Sequence, residues 1–133
     1  MTSVVADSHA ILWYVQGSDR LSEGASSALA SAEADDGIVV SVATIVDLWY
    51  VTQTTQRVTS EALARLRDVL IESASVDLHP IDLSVADAVT SIPREVLADP
   101  WDRFIVATTI ALEVPLVTRD RAITKSALVE TIW

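Results

Sequence analysis

Ser3-Val4-Val5-Ala6-Asp7-Ser8-His9-Ala10-Ile11-Leu12-Trp13 is the stretch on which the fold turns. Its first four residues are a short, apolar, partly β-branched run that stops at an acid, the pattern of a buried strand with Asp7 at its carboxyl end. Directly afterwards the period changes. Ile11, Leu12 and Val15 fall at helical spacing between Ser8 and Gln16, and Gly17-Ser18-Asp19 breaks the run. A strand that passes at once into a helix opens a crossover unit, and the same unit recurs along the chain.

A second helix is expected from Ser22, as N-cap, to Ala34, ending at Asp35-Asp36-Gly37. Gly37 to Ser41 reads as the next strand and Thr44 to Gln53 as a helix with Asp47 on its second turn. The polar patch Thr52-Gln53-Thr54-Thr55-Gln56 separates it from a longer helix over Ser60 to Ser73. Val76 to Ile81 alternates like a strand, Ser84 to Ser91 is a short helix, and Pro93 and Pro100 frame a loop. A buried helix is predicted from Trp101 or Asp102 to Leu112, then a strand Pro115 to Thr118 with Asp120 just beyond, and a last edge strand within Leu128 to Trp133. Strands alternating with helices imply right-handed crossovers, so the expected class is α/β: three layers, α/β/α, around a mainly parallel sheet of four to five strands.

With 133 residues, half of them hydrophobic, and few glycines and prolines, the chain is expected to fold as a single domain over residues 1–133. Cysteine is absent, which excludes a disulfide framework, a thiolate zinc site and a cysteine nucleophile together. The opening Met-Thr-Ser-Val-Val-Ala-Asp carries no basic n-region, and no apolar run approaches the roughly 20 residues that a bilayer requires. The expectation is a soluble, cytoplasmic protein without a membrane contact. Nine basic residues against nineteen acidic ones give 9 − 19 = −10, the wrong sign for holding nucleic acid by general phosphate attraction. It suits a basic protein partner instead, and any RNA contact has to rely on bound cations and a few local arginines.

In open α/β sheets the functional crevice lies beyond the carboxyl ends of the strands. Asp7, Asp47, Asp102 and Asp120 all fall at or near such positions and are expected to converge. Carboxylates crowded at one edge repel one another, and a hard divalent cation, Mg²⁺ or Mn²⁺, relieves that repulsion through oxygen ligands. The chemistry such a site suggests is phosphodiester hydrolysis by an activated water.

Asp7 to Trp13, Ser41 to Asp47, Asp99 to Arg103 and Leu116 to Asp120 together carry a resemblance to the VapC-type toxins of the PIN-domain family. Asp7-Ser8-His9-Ala10-Ile11-Leu12-Trp13 looks like that family's opening "D-T/S-H-x-x-L-W", and Ser41-Val42-Ala43-Thr44-Ile45-Val46-Asp47 is similar to its second acidic segment. Asp99-Pro100-Trp101-Asp102-Arg103 resembles its "D-P-x-D-R" helix start, and Leu116-Val117-Thr118-Arg119-Asp120 its "L-V-T-x-D" strand end. Each motif is weak singly, and their shared order along essentially the whole chain is what gives the likeness its weight. The second acid is usually glutamate in the family and here is Asp47, one methylene shorter, and the polar stretch after it lacks the lysine and glycine often found there. The resemblance implies a Mg²⁺- or Mn²⁺-dependent endoribonuclease, a homodimer, and a cognate antitoxin that neutralises it. Two other readings stand beside it: a PIN-like RNA- or protein-binding domain with impaired catalysis, and a receiver-type phosphoacceptor module, for which Lys125 is poorly placed.

Bland roles compete with the functional ones. Asp7 and Asp102 are each either a helix N-cap or a metal ligand, Asp120 a turn residue or a ligand, and Asp47 a solvated helix residue or a ligand. Asp99 is peripheral, an Asx-type residue before Pro100. Ser8 is a cap or a site hydroxyl, and Thr118 a strand residue or a hydroxyl facing a ligand. Arg103 and Arg119, with Arg121, are placed to grip phosphates or to pair with the neighbouring acids. His9 and His79 are read as structural, and Trp13, Trp49 and Trp101 as core or interface.

Overall fold

The computed structural model describes residues 3–133, so the reading of Met1 and Thr2 lies outside the described residues. The chain runs β1 (Val4–Ala6), α1 (Ser8–Gln16), α2 (Glu23–Glu33), β2 (Ile38–Ser41), α3 (Ala43–Thr54) and α4 (Ser60–Glu72). It continues through β3 (Val76–His79), α5 (Leu83–Thr90), α6 (Pro100–Leu112), β4 (Leu116–Val117), α7 (Arg121–Ser126) and β5 (Thr131–Ile132). The five strands form one sheet in the order β3-β2-β1-β4-β5, and every neighbouring pair is parallel. The expectation of a mainly parallel, helix-covered sheet holds.

Side-chain alternation in the central strands explains the three layers. Val4, Ala6, Ile38, Val40 and Val117 face one core with residues of α1, α2 and α4, while Val5, Val39 and Leu116 face a second core with residues of α5, α6 and α7. Successive strand residues point to opposite faces, so a sheet buried on both sides needs unbroken apolar runs, which is what β1 and β2 show.

Helix starts are set by side-chain caps. Asp7, Ser22, Thr59, Asp82, Asp99 and Asp120 each accept a hydrogen bond from a backbone N–H in the first turn of the following helix, worth ~1 kcal/mol apiece. Several element ends shift by one or two residues from the sequence reading, and two differences bear on the site. α6 begins at Pro100, whose fixed φ and missing N–H suit a first helical position, and its cap is Asp99 rather than Asp102. α7 has no counterpart among the predicted elements. It has six residues, and within it only Ile123 is buried, too little apolar periodicity to register in the sequence.

The order 3-2-1-4-5 reverses direction between β1 and β4, and ligands in open parallel sheets bind beyond the carboxyl ends of the strands at that switch. Receiver modules have the order 2-1-3-4-5, so the strand order removes the receiver-type reading. The segments that leave the switch point are those beginning at Asp7 and Thr118.

Candidate active site

At the carboxyl edge of β1 and β4 lies an open cleft of about 930 Å³, lined by Asp7, Asp47, Asp99, Asp102 and Asp120 among other residues. All four acids expected to converge therefore share one hollow, and the peripheral Asp99 joins them. Asp7 leaves β1 and caps α1: its Oδ1 accepts from Ala10 N at 2.8 Å, and its Oδ2 accepts from the Thr118 hydroxyl. Thr118 Oγ1 also accepts from Asp120 N at 3.0 Å, and Asp120 Oδ1 accepts from Ile123 N at 2.9 Å. One buried hydroxyl thus ties the exit of β1 to the exit of β4. Capping and lining the cleft coexist at Asp7 and Asp120, since each carboxylate keeps lone pairs beyond those its cap uses.

Asp47, on the second turn of α3, is held from α1: the Ser8 hydroxyl donates to its Oδ2 at 2.6 Å and stands 3.4 Å from Thr44 Oγ1. Ser8 lines the cleft, and the cap of its helix is Asp7. Asp99 Oδ1 accepts from the backbone N–H groups of Trp101 and Asp102 at 2.9 and 3.0 Å, which presents Asp102 one turn further along α6.

The electrostatics follow from the crowding. Asp102 is pushed up to about 7, first by burial, then by the charges of Asp99, Asp120, Asp47 and Asp7. Asp7 is also raised, by burial against the opposing hydrogen bonds from Thr118 and Ala10. Asp47 is raised by burial and by Asp99, and lowered in part by the Ser8 hydroxyl and by His9. Among the described residues, however, no three acids stand close enough to enclose an ion by themselves. The donors are all oxygens, the ligand type of a hard cation, and Mg²⁺ is commonly held by one or two carboxylates with water and phosphate completing its shell. The donor set therefore fits such an ion as a partly hydrated guest.

The arginines divide. Arg103 is not among the residues lining the cleft: its guanidinium donates to the carbonyls of Leu97 (2.6 Å), Ile92 (2.7 Å), Val89 (3.1 Å) and Pro93 (3.4 Å). Its two terminal nitrogens are engaged by the end of α5 and the loop after it, away from the cleft, which corrects the expectation of a phosphate contact. Arg119 does line the cleft, its guanidinium 4.6 Å from the centre of the Trp13 ring. Arg20, Arg57, His9, Gln16 and Trp133 line it too. Apart from His9, none of these carries a role in the sequence reading. Gln16 ends a helix, Arg20 and Arg57 sit in polar loops without periodicity, and the only sequence signal they carry is the scarcity of basic residues. His79 lies elsewhere, at the end of β3 between Asp77 (3.2 Å) and Asp82 (3.5 Å).

Comparison with known proteins defines the class. The PIN domain family matches residues 4–127. Ribonuclease VapC22 of Mycobacterium tuberculosis (strain ATCC 25618 / H37Rv) is 32% identical over 121 residues, covering 91% of this chain and 89% of that protein. The chain belongs to the PIN-domain family, within its VapC-type group. Solved structures with the same fold include VapBC2 from Rickettsia felis bound to a promoter DNA fragment, with TM-score 0.70, 11% identity, and coverage of 98% of this chain and 97% of that one. DNA-bound VapBC from Salmonella typhimurium gives 0.68 at 15% identity, with the same coverage of 98% and 97%.

Proposed function

We propose that this chain is a divalent-metal-dependent endoribonuclease, the toxin half of a toxin–antitoxin pair. The observation that carries the reading is the gathering of Asp7, Asp47, Asp99, Asp102 and Asp120 around one cleft at the switch point of the sheet, in a chain whose relative is named a ribonuclease. Asp7, Asp47, Asp102 and Asp120 would hold Mg²⁺ or Mn²⁺, with Asp99 at the margin. When bound, such an ion supplies Lewis-acid polarisation of the scissile phosphate and stabilises the leaving oxygen. The chain's own part is positional. Thr118 and Ala10 N fix the two oxygens of Asp7 and Ser8 fixes Asp47, while the crowding that raises the Asp102 carboxyl to about 7 in the ion-free site is the repulsion a divalent cation would relieve.

The partner part of the proposal is a cognate antitoxin and a second copy of the chain. The antitoxin rests on the solved VapBC structures that share the fold and on the net charge of −10, which suits a basic partner segment; the second copy rests on the family resemblance alone. The described residues contain no helix long and apolar enough to cross a membrane.

A second reading, a PIN-like domain with impaired catalysis, is favoured by Asp47 and by the lack of a ready-made three-acid cage among the described residues. One assay decides. RNA cleavage is followed with Mn²⁺ or Mg²⁺, with and without chelator, beside Asp7→Asn. Cleavage that stops with chelator and is lost in the variant supports the nuclease. Cleavage that persists in chelator sinks the metal mechanism, and metal binding without cleavage of any RNA favours the impaired domain.

A further inference from the structure

A chain of charge −10 has to bring RNA to a cleft already walled by five carboxylates, and at such a surface general phosphate attraction works against binding. The distribution of its nine basic residues offers a way round this: three of them, Arg20, Arg57 and Arg119, line that same cleft. The expected fate of arginines beside carboxylates is ion pairing. Among the described residues, none of the three makes an ion pair within 4.0 Å. Arg119 instead lies over the Trp13 ring, and Arg20 and Arg57 are exposed.

The loops that bear them are anchored. Arg20 N donates to Ser18 Oγ at 3.2 Å, and Arg57 N donates to Thr55 Oγ1 at 3.2 Å. Val58, directly after Arg57, is buried in the core that also holds Trp13. Three arginines thus reach the cleft from α1's exit loop, the loop between α3 and α4, and the segment after β4. Guanidinium groups free of carboxylate partners are suited to bidentate grips on phosphate oxygens.

Resting on the nuclease reading above and adding the substrate side of the same cleft, we infer that Arg20, Arg57 and Arg119 form a phosphate-binding wall. It receives the backbone of single-stranded RNA and lays the strand across to the carboxylates. Charge segregation within one cleft, basic wall against acidic floor, replaces the overall positive field that the chain lacks.

The test measures affinity of the full chain in an Asp7→Asn background, with Mn²⁺ present, for a labelled mixed-sequence single-stranded RNA across a salt series. Arg20→Ala, Arg57→Ala and Arg119→Ala are compared with Arg94→Ala, an exposed arginine outside the cleft that removes the same charge. Each wall variant should bind roughly tenfold more weakly. Each should also flatten the slope of log affinity against log salt by about 0.7 for every phosphate no longer neutralised. Arg94→Ala should leave both unchanged, and Arg57→Lys should recover part of the affinity that Arg57→Ala forfeits. Equal weakening in Arg94→Ala and the wall variants, or no change in the wall variants, overturns the inference, as does failure of the parent to bind RNA. If the chain with Asp7 restored cleaves RNA while the arginine variants keep full affinity, the wall falls and the nuclease stands. If binding depends on the arginines while the chain with Asp7 restored cleaves no RNA, the wall stands and the nuclease falls.

Discussion

Asp102→Asn offers a direct measure of how strongly the site opposes its own charge. The carboxyl is raised from 3.8 to about 7 by burial and four neighbouring acids. At ~1.4 kcal/mol per pKa unit that is an upper figure of ~4 kcal/mol, and solvent screening at a half-buried group reduces it to about 2 kcal/mol. The sign follows from proton counting. Between pH 4 and 7 the folded state holds a proton on Asp102 that the unfolded state has released, so stability falls as pH rises through that window and levels above it. Asparagine resembles the protonated form and never ionises. In chelator, Asp102→Asn should therefore match the parent near pH 4 and exceed it by about 2 kcal/mol at pH 8, a rise in Tm of about 6–10 °C for a chain of this size. Thermal melts at the two pH values provide the measurement. A variant no more stable than the parent at pH 8, or one whose advantage is the same at both pH values, refutes the account in which burial and the neighbouring carboxylates together disfavour the Asp102 charge.

Three further outcomes are expected. Arg103→Ala strips four carbonyls of their donor and should lower stability by about 2–3 kcal/mol in urea unfolding without changing RNA affinity; weaker RNA binding with intact stability would return Arg103 to the substrate. Thr118→Val keeps the shape but removes the hydroxyl that serves Asp7 and Asp120, so Asp7 should rise further and Mn²⁺ affinity by calorimetry should fall roughly tenfold at pH 7. That deficit narrows at higher pH, as Asp7 ionises; a gap that stays constant with pH argues against the link. Gly24→Ala places a Cβ 2.8 Å from the Trp133 carbonyl oxygen. Its usual helix-propensity gain of about 0.5–1 kcal/mol should turn into a net loss, and a higher Tm would show that the end of the chain yields freely.

The order of strands and helices was legible because burial on two faces writes itself into the chain as apolar runs, and helix starts write themselves as caps: Val4-Val5-Ala6, Ile38-Val39-Val40 and Ser22 needed no tertiary knowledge. Four acids just past a strand or early in a helix were legible for the same reason, as positions along a period. Which of them cap, and how hard they repel one another, was not, because those are distances across the sheet; Ser8 meets Asp47 and Thr118 meets Asp7 only once β1, α3 and β4 are side by side. Arg103 marks the limit best. Its place in the motif is local, but its donors go to carbonyls at Val89, Ile92, Pro93 and Leu97, which come within reach only when α5 packs on α6. By itself the sequence determined the periodicity, the class of fold and the acids at the edge of the sheet. The tertiary structure alone decided which charges face one another, because electrostatic and hydrogen-bond energies depend on separation in space, and separation along the chain does not encode it.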